Sequence, residues 1–505
     1  MTSLMSKRDT ATQTASASIG TPRTSSAASA SGAQPTTASP SSSADCAPTS
    51  HPSLPQIRAQ DFDVVVIGGG PAGMAAALAA HEAGATAAIV ERERNLGGIL
   101  RQCIHPGFGL THFKEELTGP EYAQRFIDQV RATDIAIFTE TMVLSLDAGT
   151  GKPSGAAPRP LSEPLEVRTG RTVTCMSPRG MLELHAGAVV LAMGCRERTR
   201  SEIEIPGSRP AGVFTAGLAQ RYINIENLRP GNRAVILGSG DIGLIIARRC
   251  ALEGIAVEGV YELMPYANGL HRNVRNCLDD FGIPLHLSTT VTRVIGRKRV
   301  EAVEVSRVDG DLSPIPGTER IVPCDTLLLS VGLIPENELS TAAGVQLDPR
   351  TRGAVVDQDL QTSVPGIFAC GNALHVHDLA DNVTAEAMRA GTAAAAWTAN
   401  KGNASSSSKL PTLTLEASGL TGYALPERIT RTQGTNLFFR VKRPVEHARL
   451  RLCAGGTILF EGKVRSFKPS AMESTPLTAA MIDRAHELGA RTITLSIEPE
   501  EDTVC

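Results

Sequence analysis

Two stretches of this chain share one pattern of apolar and polar positions. Residues 62–67, Phe-Asp-Val-Val-Val-Ile, and residues 234–237, Ala-Val-Ile-Leu, are apolar runs without alternation, the mark of a strand covered on both faces. Each leads through a glycine-rich turn into an Ala/Ile-rich stretch, residues 74–82 and 244–252, that predicts a helix. A second apolar strand follows at residues 87–90 and 257–261, so each stretch reads as a strand–helix–strand unit of a parallel sheet.

The rest of the pattern sets the domain plan. Runs near residues 142–146, 171–175 and 181–185 are β-rich, with turn-rich residues 149–160 and 178–180 between them, and predict an antiparallel meander. It feeds a separate apolar strand at residues 188–192, which ends in Met193-Gly194 and continues into a linker at Ile205-Pro206-Gly207. After the second unit a β-rich segment reaches residues 326–332, and residues 366–372 open a final helix over residues 385–397. Residues 401–409, with four consecutive serines, predict a linker. Beyond them lie short strands such as residues 437–441 and 492–497, with one helix at residues 479–488. The expected fold class is α/β: two Rossmann-like, three-layer ββα dinucleotide-binding domains and a small β-rich C-terminal domain. Residues 60–215 and 336–400 form the first domain, residues 216–335 the second, inserted in it, and residues 410–505 the last.

Composition removes several function classes. A formal net charge of −3 over 505 residues gives no basic excess for nucleic acid, so the expected partner is a small molecule. The most apolar later runs are far shorter than the roughly 20 residues of a membrane span, so no transmembrane segment is expected. Ten cysteines are scattered without CxxC or any spacing suited to zinc or an iron–sulfur cluster, which fits a reducing cytoplasm. Residues 1–59, rich in Ser, Thr, Ala and Pro, cannot bury enough apolar surface to order and predict a disordered extension. Ser-rich, acid-poor leaders resemble organelle transit peptides, but only Lys7, Arg8 and Arg23 are basic before His51, and a plain extension is the preferred reading.

The chemistry starts at the two turns, Gly68-Gly69-Gly70-Pro71-Ala72-Gly73 and Gly238-Ser239-Gly240-Asp241-Ile242-Gly243. Both are GxGxxG, the spacing that brings backbone N–H groups and a helix N-terminus against a pyrophosphate. A glycine turn used only for packing is the plain alternative, which two copies in the same context disfavour. Each second strand ends in an acid, Glu91 and Glu262, placed to accept hydrogen bonds from a ribose hydroxyl. Gly97-Gly98 adds a turn by which backbone approaches a cofactor closely.

These residues, with the Ala-Met-Gly strand end at 192–194, the strand ending at Gly332 before Pro335 and Asn337, and Gly371-Asn372 before the last helix, resemble the two-dinucleotide-binding-domain flavoproteins. That superfamily of FAD/NAD(P)-dependent pyridine nucleotide oxidoreductases contains glutathione and thioredoxin reductases. Residues 97–105, 192–198 and 330–337 look most like a bacterial branch of hydrogen cyanide synthase, opine oxidase and anaerobic glycerol-3-phosphate dehydrogenase-associated subunits. The resemblance covers about residues 61–400 and implies FAD at Gly68, Gly70, Pro71, Ala72, Gly73, Glu91, Gly97, Gly98, Gly194, Gly371 and Asn372. It implies NAD(H) at Gly238, Gly240, Asp241, Ile242, Gly243 and Glu262. Glu262 disfavours NADP, because a carboxylate repels a 2′-phosphate, although Arg272 and Arg275 stand nearby. The family usually carries Asp where Asn372 stands, so a charge-assisted bond is exchanged for a weaker neutral one.

Disulfide reductases of the superfamily carry a cysteine pair beside the flavin, and this chain has only Cys103 at the matching place. Cys103 is read either as a flavin-proximal thiolate or as a packed structural cysteine. His105 and His112, and His375 and His377 with Asp378, lie on segments that approach the flavin in the family, so His105 and His375 are candidate proton donors. As a metal site, His375-x-His377-Asp378 lacks a matching ligand cluster elsewhere in the sequence, and no metal is expected. Arg196, Arg198 and Arg200 read as a solvated turn or an attraction for an anion. The expected function is hydride exchange between NAD(H) and a small-molecule substrate or electron acceptor through FAD. Two alternatives stand beside it, an electron-transfer subunit bound to a partner dehydrogenase and a non-catalytic FAD/NAD sensor. A homo-oligomer is compatible with each.

Overall fold

A computed structural model describes residues 58–149, 170–400 and 411–500 of the chain. The N-terminal extension up to residue 57, the turn-rich stretch from residue 150 and the serine linker lie outside the described residues.

The first strand, Arg58–Ile67, starts two residues before the expected domain boundary, because Arg58 and Ala59 already pair with Leu182 and Glu183. It is central in a seven-stranded sheet, flanked by Ala87–Val90 on one side and Gly180–Leu191 on the other, both parallel to it. Val64 to Ile67 are buried on both faces, as the unbroken apolar run requires. The separate strands expected at residues 181–185 and 188–192 are one continuous strand, Gly180–Leu191. Gly187 does not break it. A Cβ there would crowd Asp63 O and Thr398, so glycine serves close packing rather than a turn. The predicted meander is present as Met142–Asp147, Arg171–Ser177 and the first half of Gly180–Leu191, all antiparallel.

Helix Pro71–Glu82 packs on helix Ala380–Ala399. Their backbones approach closely because Gly391 meets Ala76 O, where a Cβ would collide. The last helix starts five residues before the sequence expectation, with Asp381 in its first turn.

The second unit repeats the plan. Val213–Thr215, Thr326–Leu329, Arg233–Leu237, Ala256–Tyr261 and Leu285–His286 form a parallel sheet, with helix Asp241–Leu252 after the glycine turn. A three-stranded antiparallel sheet, Thr289–Gly296, Val300–Arg307 and Arg320–Pro323, is its meander. The chain enters through Cys195–Glu197 and leaves through Leu333–Pro335, which pair antiparallel, so the second unit is inserted in the first.

The C-terminal domain has its own core, in which Leu437, Phe439, Leu452 and Ile493 are fully buried. A six-stranded and a three-stranded sheet, with helix Ala479–Glu487, surround that core. It docks on the first domain through side-chain bonds to main chain. Glu427 accepts from Val356 N at 3.0 Å, and Arg428 donates to Thr362 O at 2.9 Å. No helix among the described residues is long and apolar enough to cross a membrane.

Candidate functional site

The two glycine turns divide their labour identically. Gly68 and Gly238 have positive φ of 110° and 99°, and a Cβ on either would strike the end of a neighbouring strand, at Ala192 O or Ser330 O. Gly73 and Gly243 are pressed against Gly68 O and Gly238 O, so only glycine lets the helix sit on its strand. Gly70 and Gly240 differ from both. A Cβ there would find its nearest neighbour at 3.9 Å and 3.7 Å, so their freedom serves nothing within the protein. Each is the N-cap of a 12-residue helix and offers no side-chain cap. Space before an uncapped helix N-terminus is a cradle for a phosphate.

The acids at the second strand ends are buried and tied to these turns. Glu91 accepts from Gly69 N at 2.7 Å through one oxygen and from Glu93 N at 2.7 Å through the other. Glu262 accepts from Ser239 N at 2.9 Å, Ser239 Oγ at 2.6 Å and Met264 N at 2.9 Å. Their spacing alone points to a ribose, and the structure adds a second duty, fixing the turn. Around the first cradle, Gly97 N donates to Gly69 O at 2.8 Å, Gly98 lies against Gly70, and Gly371 meets Ala72. Gly194, with φ 75°, has free space on its Cβ side.

Asn372 also braces the loop that follows it: its Oδ1 accepts from His377 N at 3.0 Å and its Nδ2 donates to Cys195 Sγ at 3.6 Å. Asp241 likewise turns inward, accepting from Leu270 N at 2.8 Å and Asn273 Nδ2 at 2.7 Å. Ile242, the residue after it, is half-buried beside the second core.

The loop at Cys103 reaches toward the second unit. A Cβ on Gly107 would lie 3.8 Å from Arg272, and Asp241, Arg248 and Arg272 all act electrostatically on His105. Burial pushes the Cys103 thiol up to about 12, so it is protonated at neutral pH and donates to Ile99 O at 3.3 Å. Burial also lowers His105, whose ring lies tilted against Phe108 with centroids 5.2 Å apart and reaches Pro106 O at 3.0 Å. His112 is held instead in an aromatic cluster, its ring 5.4 Å from Phe126. Arg196 pairs with Glu336 and Glu338, and Arg200 donates to Ile205 O, Pro206 O and Ser208 O, so this run pins the interdomain crossing.

One residue that sequence reasoning passes over completes a cluster. Glu386, on helix Ala380–Ala399, accepts from His375 Nε2 at 2.8 Å and His377 Nε2 at 3.2 Å, and from Gly371 N at 2.7 Å. All three side chains are at most 2% exposed. The expectation that nothing matches the histidine pair is thereby corrected, since three ligand-type groups lie within 4.8 Å of one another. Burial alone would raise Glu386, but the two imidazoles hold it below the ordinary carboxyl range, while burial lowers His375. The C-terminal domain closes this site. Arg440 donates to Val376 O at 3.1 Å and pairs with Asp378, Met472 N donates to Asp378 at 2.6 Å, and Tyr423 and Phe438 stand over His375.

The first cradle fits a dinucleotide by its free cap and cleared Gly70 position, and the second fits by the same two features. An opine oxidase subunit from Agrobacterium tumefaciens (strain Ach5) is 27% identical over 325 residues, covering 62% of this chain and 61% of that protein. Hydrogen cyanide synthase subunit HcnB of Pseudomonas protegens is 25% identical, covering 56% and 59%. The chain thus spans about three fifths of the length of these curated relatives. In fold it is similar to thioredoxin reductase of T. acidophilum, with TM-score 0.53 and 23% identity, over 67% of this chain and 99% of that one. The sequence pattern of the pyridine nucleotide-disulphide oxidoreductases matches residues 62–395, and the chain belongs to that family.

Proposed function

We propose that this chain is a flavoenzyme that holds FAD in the first cradle and NAD(H) in the second, and passes electrons to a second substrate without a redox-active disulfide. The observation that carries this reading is the repeated freedom of Gly70 and Gly240 where the other glycines of both turns are pressed by protein. FAD, when bound, supplies two-electron transfer chemistry.

The chain's own residues do the rest. Amides at the starts of helices Pro71–Glu82 and Asp241–Leu252 hold the pyrophosphates, with Pro71, Ala72, Asp241 and Ile242 as first-turn positions. Glu91 and Glu262 fix the turns and present carboxylates toward the riboses, and Glu262 disfavours a 2′-phosphate. The Cys103–His105 loop and Arg272 border the junction between the two cradles, where the protein's task is orientation and exclusion of water. Cys103, as a thiol, lines the junction, and His105 is the candidate proton donor there; His375, the other candidate, is enclosed with its Nε2 committed to Glu386.

A second reading is an electron-transfer subunit of a larger enzyme. It is favoured by relatives whose names make them subunits, such as that of opine oxidase, and by a C-terminal domain seated beside the first cradle. The test is to release the cofactor from purified protein by heat, identify it by mass, and titrate the native protein anaerobically with NADH and NADPH. One FAD per chain, reduced by NADH in preference to NADPH, supports the proposal; colourless protein after FAD reconstitution overturns it. Turnover with an artificial acceptor but none with small substrates selects the subunit reading.

A further inference from the structure

The second unit carries a cavity of about 470 Å³ that the two cradles do not use. The parallel sheet separates it from the cradle helix. Ala234, Ile236 and Val260 face helix Asp241–Leu252, whereas Val235, Leu237 and Tyr261 face the antiparallel meander. His286 stacks on Tyr261, with ring centroids 4.6 Å apart, and so lies on the meander side. With Leu285 and Leu287 it forms one wall of the cavity, and the meander forms the other.

Strand register sets the charge of the meander wall. Val305 pairs with Arg320, and Arg307 stands two residues on from Val305, so both arginines share the face that Val305 turns to the cavity and are diagonal neighbours. Like charges so placed repel, yet neither is in an ion pair among the described residues. Arg320 reaches the hydroxyl of Tyr261, which burial keeps neutral. The nearby acids are committed elsewhere: Glu304 to Arg293, Glu258 to Arg233, and Glu319 to Gly317 N at 2.8 Å. Two positive groups therefore border an apolar floor of Leu285, Leu287 and Val305 with no negative charge to answer them.

We infer that this cavity binds a small phosphate monoester with an apolar body, of the nucleoside monophosphate class, at a site separate from the second cradle. Guanidinium forks match phosphate oxygens, and a phosphate monoester carries nearly two negative charges at neutral pH, so one such group answers both arginines. The apolar floor takes the body, and a cavity of this volume suits a molecule of that size. The site stands back to back with the cradle. Glu262 N donates to His286 O at 2.8 Å, Thr289 N to Glu262 O at 2.9 Å and Ser288 N to Met264 O at 3.1 Å. Residues 286–289 thus line the cavity on one side and hold the main chain of Glu262 on the other. The inference stands on the charge and shape of the cavity and needs neither flavin nor turnover.

The experiment is calorimetric titration of the purified holoprotein with AMP at several fixed concentrations of NAD+, with adenosine and inorganic phosphate as the two halves of the probe. AMP is expected to bind in the presence of NAD+, and adenosine, phosphate, and AMP with the R307Q/R320Q variant are each expected to bind at least about tenfold more weakly. An apparent Kd for AMP that stays constant or levels off as NAD+ rises supports a separate site. One that climbs without limit makes the two compete and overturns it. No AMP binding in the millimolar range, or equal affinity in wild type and variant, also overturns it. Adenosine as tight as AMP would show that the arginines read no phosphate, and phosphate as tight as AMP would leave an adventitious anion only. Should the double variant lose its circular dichroism, the comparison of AMP with adenosine on wild-type protein decides. Absence of FAD sinks the proposed function and leaves this titration unchanged, whereas a flavoprotein that ignores AMP sinks the cavity alone.

Discussion

The two strand–helix–strand units share one plan and differ in what covers their glycine turns. In the first, the separate Gly97-Gly98 turn borders the space before Gly70, and Gly371, ahead of the distant helix Ala380–Ala399, meets Ala72 in the first turn of the helix that follows. In the second, the cover is local: residues 264–270 fold back on their own turn, with Asn268 N bonded to Ser239 Oγ at 2.9 Å and Leu270 N to Asp241 at 2.8 Å. A wall built from three parts of the chain suits a ligand that stays. A loop latched by two hydrogen bonds, each worth about 0.5–1.5 kcal/mol, suits one that comes and goes.

The comparison breaks most sharply at the free glycines. Gly70→Val places its Cβ in space only a ligand would use, and the purified variant is expected to retain less than about a tenth of the wild-type flavin, a loss above about 1.4 kcal/mol, with its circular dichroism preserved. Gly240→Val should keep full flavin and lose reduction by NADH. If both variants lose flavin, or neither does, the division of cofactors between the units is wrong.

A smaller effect tests the latch. Asp241→Ala removes the acceptor of Leu270 N and Asn273 Nδ2 and should change the KM for NADH by about 3- to 10-fold with flavin content constant. An unchanged KM would detach the loop from nucleotide binding.

The C-terminal junction predicts a pH signature. Burial pushes Glu427 up to about 8 from an ordinary value of 4.5, and its Oε1 has no hydrogen-bond partner among the described residues. Below the ordinary value both the folded and unfolded chains hold the proton. Between that value and about 8 only the folded chain holds it, so stability falls as pH rises, by at most about 1.4 kcal/mol per unit from this group, and levels off above. Glu427→Gln should flatten the melting temperature between pH 5 and 8. A slope equal to wild type would assign the pH dependence elsewhere.

The smallest effect belongs to Cys103. Its thiol donates to Ile99 O, a bond serine can keep, so Cys103→Ser should alter the rate of reduction by NADH by less than about threefold. A loss of a hundredfold or a lost long-wavelength band would restore a thiolate role.

What is legible in the sequence is local. The glycine turns, the acids that end the second strands and the inserted order of domains are written in short spacings, and the fold carries them as read. What escapes depends on long-range packing. Nothing near His375 announces that Glu386 closes on it; the one available sign is a Glu set among the alanines of the last helix, a charge on an apolar face. The family resemblance sets the Gly371-Asn372 turn beside a cofactor and gives no sign that the Asn372 oxygen also accepts from His377 N. The strand Gly180–Leu191 divides at Ala186-Gly187 when read as a pattern, because glycine usually breaks a run, and here the crowding of Asp63 and Thr398 decides otherwise.

The most direct test of the two-cradle account is rapid anaerobic mixing of the wild-type protein with NADH while the absorbance of its oxidised flavin is followed. The account predicts bleaching that saturates with NADH concentration, lost in Gly240→Val and not in Cys103→Ser. A yellow protein that NADH leaves oxidised, without or with any candidate partner protein, would contradict it.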